Sequence, residues 1–215
     1  MKKILSASLA AVLSLSVLAG CSNGVENESI APAANSSGNA IPDEIQEIPS
    51  AYFSPAEQQG TLVELYYDTY ESISYEERIH PLTKRAIVYL PYGYSEDDRY
   101  DVFYLMHGGW SNETTTLGTP GKESSFKNVM DNAVENNEIE PLIVVCPTYN
   151  NTNENGQDSD NFSLALTLTE NYHNELVHDL IPAVEGTYST YAEGVTDEAL
   201  RESRDYRGFG GFSMG

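Results

Sequence analysis

Positive charge is what this sequence lacks most. Its 215 residues carry 11 Lys and Arg against 33 Asp and Glu, a formal net charge of −22 at pH 7. Such a surface repels nucleic acid and anionic headgroups, which argues against any polyanionic partner; no nucleic acid is expected. Cysteine is nearly as scarce, with only Cys21 and Cys146 present. Neither sits at a metal-ligand spacing, and the reading calls for no metal and no cofactor. The polar stretch "TYNNTNENGQDSDN" (148–161) is rich in Asn and Asp. It matches no calcium-loop pattern and reads as a solvated loop near a site mouth. No internal repeat occurs, and Trp110 is the one tryptophan.

The chain opens with "MKKILSASLAAVLSLSVLAGC". Lys2 and Lys3 precede an uncharged apolar run that ends in small residues, the pattern of a secretory signal too short to be a confident membrane span. Its end, Leu18-Ala19-Gly20-Cys21, resembles the bacterial lipoprotein cleavage box. The resemblance implies that Cys21 becomes the lipidated first residue of the mature protein, anchored to a membrane at the extracytoplasmic face of a bacterial cell. With Cys21 so occupied no intrachain disulfide can form, and Cys146, inside "PLIVVCPTY", reads as a small buried hydrophobe. The expected division is a signal peptide at 1–20, the lipidated cysteine and a disordered tether at 21–50, and a folded domain at 51–215. The tether is rich in Ser, Asn, Pro, Ala and Glu and has no apolar period.

Within the domain the pattern alternates in type. "TLVELYYDTY" (61–70) and "KRAIVYLP" (84–91) alternate apolar and polar residues as half-buried strands do. "YDVFYLMHGG" (100–109) is a more continuous apolar run that suits a strand buried on both faces, and "PLIVVCP" (141–147) is another short buried run. Residues 125–139 space Phe126, Val129, Met130 and Val134 at helical intervals. Leu168, Tyr172, Leu176, Leu180 and Val184 lie four apart on a second amphipathic helix, which Pro182 should kink or cut short. "YRGFGGFSM" reads as a strand running into a sharp turn. The order predicts an α/β sheet with helices on its faces, the first strand pair forming an antiparallel edge.

Two segments carry chemistry. Gly211-Phe212-Ser213-Met214-Gly215 has the Gly-x-Ser-x-Gly form in which a serine occupies the tip of a tight strand-to-turn corner. Glycines flank it because side chains there would collide with the backbone. Ser213 is the candidate nucleophile, and the Met214 N–H that follows can stabilise an oxyanion. Upstream, "LMHGGWSNE" places His107-Gly108-Gly109 at the end of a strand, where flexible backbone can offer N–H groups to the same oxygen. Gly109 is the candidate donor there, and Trp110 a candidate wall of the substrate pocket.

Taken together, "YLPYGYSEDDRYDVFYLMHGGWSNE", "ELVHDLIPAVEGTYSTYAE" and "GFSMG" resemble an esterase family. That family includes the feruloyl and acetylxylan esterases of carbohydrate esterase family 1, esterase D and the mycolyltransferases. The similarity covers roughly residues 60–215 and implies an α/β-hydrolase fold, a serine nucleophile and hydrolysis of carboxylic esters. Feruloyl esterase modules attached to xylanases are the most similar members. This implies feruloyl or acetyl esters of plant xylan as substrates, with Trp110 and some of the 15 tyrosines meeting the phenolic acyl group or a sugar ring. Rival readings are an acyltransferase of the same fold and a non-catalytic, carbohydrate-binding lipoprotein with a hydrolase-like domain. The oligomeric state is left open.

The resemblance departs from the family order at one point. A hydrolase of this kind runs nucleophile, acid, histidine, yet His80, His107, His173 and His178 all precede Ser213. The sequence therefore leads us to expect the front portion of a longer esterase, its fold truncated after the nucleophile turn and its acid and base carried by strands beyond. Such a polypeptide alone is expected to be poorly stable and inactive.

Overall fold

A computed structural model describes residues 47–151 and 158–215. Cys21, the signal segment, residues 22–46 of the tether and the middle of the 148–161 stretch lie outside the described residues. The first described segment forms a short 3₁₀ turn at Ser50–Phe53. Asn132 donates from its side chain to the Tyr52 and Ser54 carbonyls, which ties this turn to the first helix.

The central element is a five-stranded sheet built from β1 (Thr61–Tyr70), β2 (Pro81–Leu90), β3 (Asp101–Met106), β6 (Leu142–Cys146) and β7 (Arg207–Gly211), ordered β1-β2-β6-β3-β7. A two-strand hairpin, β4 (Gly118–Thr119) and β5 (Lys122–Glu123), stands apart from it. β1 and β2 pair antiparallel along their whole length, from Thr61↔Leu90 to Tyr70↔Pro81. β2 is also antiparallel to β6, whereas β6, β3 and β7 run parallel. The expected antiparallel edge on an otherwise parallel sheet is thus present.

Both faces of the central strands are buried, for a reason visible in their side chains. Ala86, Val88, Ile143 and Val145 face one way and pack with Leu65, Tyr67, Tyr104, Leu180 and Val184. Ile87, Tyr89, Val144 and Cys146 face the other way and pack with Leu62 and Leu117, flanked by Phe126 and Met130 of α1 (Ser125–Glu135). A strand covered on two sides needs no polar alternation. β3 behaves differently from the expected two-faced strand: Val102, Tyr104 and Met106 are buried while Phe103 and Leu105 are only partly so. The Phe103 ring lies over the glycines of β7, since a Cβ on Gly208 or Gly210 would stand 2.6 or 2.8 Å from it.

Pro182 does not end its helix. The helical run proceeds through α2 (Phe162–Asn171), α3 (His173–Glu175), a π-helical turn at Leu176–Leu180 and α4 (Ile181–Thr187). Proline cannot donate to the preceding turn, and the wider π register just before it absorbs that missing bond, so Pro182 sits in the first turn of α4, where it is tolerated. A final short helix, α5 (Asp197–Glu202), capped by Thr196, leads into β7. Among the described residues no helix is long and apolar enough to cross a membrane.

Candidate active site

Parallel register brings the two sequence motifs together. Met106↔Gly211 is the last pair of β3 and β7, so His107-Gly108-Gly109 and Phe212-Ser213-Met214 leave the sheet at the same end. β6 ends there too, delivering Pro147-Thr148-Tyr149-Asn150. The carboxyl ends of parallel strands are where sheets of this type place their ligands.

Ser213 occupies the apex of the turn after β7 in the left-handed region, φ 57°, and is exposed. A non-glycine residue held there costs on the order of 1–3 kcal/mol unless the surroundings over-determine it. Two contacts do so. Gly215 donates to the Phe212 carbonyl at 3.0 Å, and the flanking glycines permit backbone approaches that no side chain would. A Cβ on Gly211 would lie 2.3 Å from the Gly215 carbonyl carbon, and one on Gly215 would lie 2.6 Å from the His107 oxygen.

The glycine loop faces this turn directly. A Cβ on Gly108 would stand 3.0 Å from Ser213 Cβ, and one on Gly109 would stand 3.2 Å from Met214 Sδ. Gly109 and Met214 are both partly buried, and neither of their N–H groups donates to a described residue. Trp110 is also left-handed, φ 54°, with 71% of its surface exposed. Its amide donates to the Ser159 carbonyl at 3.0 Å, and Ser159 Oγ donates to the Ser111 carbonyl at 2.7 Å, pinning the far side of the loop. Gly108, Gly109, Ser213 and Met214 are therefore contiguous, and Trp110 follows them in the loop as an exposed residue. A small cavity of about 230 Å³ adjoins it, lined by Met106, Tyr149, Phe209, Met214 and Gly215 among others.

The described ends of the 148–161 stretch lie by the site as expected but depart in part from a solvated loop. Thr148, Tyr149 and Asn150 are fully buried and Ser159 nearly so. They form the floor of the glycine loop, where polar side chains satisfy backbone groups that would otherwise be stranded. Nothing in a run of Thr, Asn and Asp distinguishes such a floor from a solvated loop; only the buried "PLIVVC" strand before it hints that the chain is still inside.

None of the four histidines bonds to Ser213 among the described residues. His80 precedes β2 and is exposed, as are His173 and His178 on the helical run. His107 is buried, Nδ1 lying 2.7 Å from the Gly108 carbonyl and Nε2 2.8 Å from Thr148 Oγ1. Burial holds its pKa down at about 4, with the nearby Lys84 ammonium acting in the same direction. An unfolded histidine titrates near 6.5. Between those values the unfolded chain takes up a proton that the folded chain refuses, so stability falls as pH drops through the window and is fully present above it. The expected loss is on the order of 3 kcal/mol. Urea midpoints at pH 7 and pH 4.5 should separate more for the native chain than for His107→Asn; equal separation would refute the assignment.

Comparison with known proteins agrees with this geometry. The family model described as "Putative esterase" matches residues 83–215. Endo-1,4-beta-xylanase Y of Acetivibrio thermocellus is 42% identical over 167 residues, 78% of this chain and 13% of that protein. An endo-1,4-beta-xylanase/feruloyl esterase of Xylanibacter ruminicola is 34% identical over 113 residues, 50% of this chain and 14% of its own length. Among solved structures, a serine-to-alanine mutant of the feruloyl esterase module from Clostridium thermocellum, complexed with sinapinate, superposes with a TM-score of 0.60 at 39% identity. That match covers 77% of this chain and 50% of the module, so the chain spans about half the length of the solved relative. The architecture is that of an α/β-hydrolase.

Proposed function

The chain belongs to the esterase family, and from that premise we propose that the whole protein is a serine carboxylic-ester hydrolase acting on feruloyl or acetyl esters of plant xylan. The observation that carries this reading is the meeting of Ser213, at the apex of a left-handed turn, with Gly108 and Gly109 across the parallel β3–β7 pair. Relatives that carry xylanase and feruloyl esterase names, one solved with sinapinate, support the substrate class.

In this reading Ser213 Oγ attacks the ester carbonyl, and the N–H groups of Gly109 and Met214 hold the oxygen of the tetrahedral intermediate. The leaving alkoxide takes the proton given up by Ser213 and departs as the alcohol, and water then attacks the acyl-serine, releasing the acid and returning a proton to Ser213 Oγ. Trp110, exposed beside the loop, offers a face to a phenolic ring or a sugar. His107 does not serve as the base because both its ring nitrogens are engaged away from Ser213, and burial, by holding its pKa down at about 4, makes it a weak proton acceptor. His80, His173 and His178 are exposed and none is hydrogen-bonded to Ser213 among the described residues, so the base role is assigned to none of the four histidines. The amino-terminal pattern supports a mature protein at the bacterial cell surface or otherwise extracytoplasmic, held to a membrane by lipid on Cys21.

The test is chemical. In the full chain encoded by the gene, a fluorophosphonate reporter should label the native protein and leave Ser213→Ala unlabelled. Equal labelling of both would remove Ser213 from the reaction.

A further inference from the structure

Resting on the serine-esterase reading, we propose that His107 and Tyr149 are positioning residues that together aim the Gly109 amide at the reacting carbonyl. The Gly108 carbonyl oxygen accepts two hydrogen bonds, from His107 Nδ1 at 2.7 Å and from the Tyr149 hydroxyl at 2.9 Å. That oxygen and the Gly109 N–H belong to one peptide unit. The unit is planar and trans, so its C=O and N–H point in opposite directions. Gripping the oxygen from the protein interior thus sets the direction in which the N–H leaves. Glycine on both sides of this peptide removes the Cβ restraint that would otherwise limit its rotation. The grip supplies what the sequence Gly108-Gly109 gives up.

The donors are arranged in only one workable way. A carbonyl can only accept, so His107 Nδ1 carries the ring proton and Nε2 is an acceptor. Nε2 then receives the Thr148 hydroxyl proton, and Thr148 Oγ1 in turn accepts the Asn150 N–H at 3.1 Å. The relay runs from Asn150 through Thr148 and His107 to the Gly108 oxygen, and each member is essentially fully buried. The His107 and Tyr149 rings stack with centroids 4.4 Å apart, which fixes both donors relative to one another. Burial depresses the imidazole pKa, so the ring keeps a single proton through the neutral range and the relay holds one polarity.

The other side of the loop is clamped independently, by Trp110 N–H on the Ser159 carbonyl and by Ser111 Oγ donating to the Gly109 carbonyl at 3.1 Å. The peptides on either side of residue 109 are therefore both held. Tyr149 also lines the cavity that reaches Met214 and Gly215, so its ring is packed beside the serine turn as well as behind the glycine loop. A buried tyrosine usually finds some partner for its hydroxyl; here the partner is the one carbonyl whose peptide bears the candidate oxyanion donor.

The experiment uses the full encoded chain, methyl ferulate as substrate, and an arylboronic acid as a tetrahedral adduct-forming probe. Tyr149→Phe removes one hydroxyl and nothing else. Loss of a complete oxyanion donor costs about 100- to 1,000-fold in kcat. A donor left in place but less well aimed should cost roughly 10-fold or more in kcat with KM unchanged. Boronate affinity should weaken by the same factor while ferulate affinity holds. His107→Asn keeps a side-chain N–H near the place of Nδ1 and should retain more rate than His107→Leu, which has none. Titrating active serines with fluorophosphonate normalises each rate to folded enzyme, so poor folding cannot mimic the effect. Native kcat in Tyr149→Phe, or a loss confined to KM, would overturn the inference alone. A native chain that fails to label at Ser213 would sink the esterase reading, and the inference with it.

Discussion

In the full encoded chain, and on the serine-esterase reading, alanine at position 211 is expected to lower kcat/KM for an aryl ester by at least about 100-fold while the sheet stays folded, the scale associated with a misplacement of about 1 Å at a reacting centre. The new methyl carbon would stand 2.3 Å from the Gly215 carbonyl carbon and 2.7 Å from its oxygen. These are backbone atoms, so no rotamer change relieves the overlap; the turn must open, and Ser213 moves with it. Gly215→Ala should act alike, since its methyl would press on the Met106 and His107 carbonyls at 2.7 and 2.6 Å and push the serine turn off β3. Both effects arise from space rather than dihedral preference, because the left-handed residue in this turn is Ser213 itself. Gly194→Ala is the control: its nearest neighbour would be 3.9 Å away, and it should change nothing. Circular dichroism establishes folding and steady-state kinetics give the rates. A Gly211→Ala protein within a few-fold of the native rate would show that the serine does not depend on this corner.

Removing one partner of the Lys84–Glu175 pair is expected to destabilise the domain by about 3–5 kcal/mol. The ammonium and carboxylate lie 2.8 Å apart with both side chains fully buried. Glu175 takes a second bond from the Tyr67 hydroxyl at 2.7 Å, and the Lys84 ammonium sits 5.4 Å above the Tyr172 ring. Burial pushes the lysine pKa down and the carboxyl pKa up, so each charge is maintained by the other. The pair joins β2 to the helical run one residue before the π turn, where Thr69 and Tyr75 also donate to Asp179. Glu175→Leu strands an ammonium among apolar groups, and Lys84→Met strands a carboxylate. At about 2–4 °C per kcal/mol for a domain of this size, either should lower Tm by roughly 6–20 °C. The double variant Lys84→Met/Glu175→Leu should recover most of the loss, because an apolar pair of similar volume is often as stable as a buried ion pair. Thermal unfolding of all four proteins decides the matter. Additive single-variant losses in the double would show that the two groups do not act as a pair.

Much of this molecule follows from its sequence alone. Alternation in "TLVELYYDTY" predicted β1 with the bounds observed, because a strand with one buried face must repeat every two residues. The short apolar runs yielded β3 and β6 to within a few residues, and the helical spacing around Val129 yielded α1, though four residues too long at its end. The glycines at 211 and 215 were legible once His107-Gly108-Gly109 was read beside them, because side chains flanking a serine in a strand-ending turn would collide with the backbone, as the structure shows.

What the sequence could not decide depends on residues distant along the chain. Register alone sets Met106 beside Gly211, and no local pattern carries register across a crossover of a hundred residues. Pro182 does not cut the run short as one alternative expected, because packing of Leu180 and Val184 on the sheet favours continuing the helix through a π turn where local propensity penalises proline. Lys84, Glu175, Thr148 and Tyr149 look like surface polar residues in one dimension. Each is buried because a partner from another element satisfies it, Glu175 by Lys84 and Tyr67, Tyr149 by the Gly108 carbonyl. Hydrophobic periodicity is local and can be read along the chain; a hydrogen-bond partner is a fact about three dimensions.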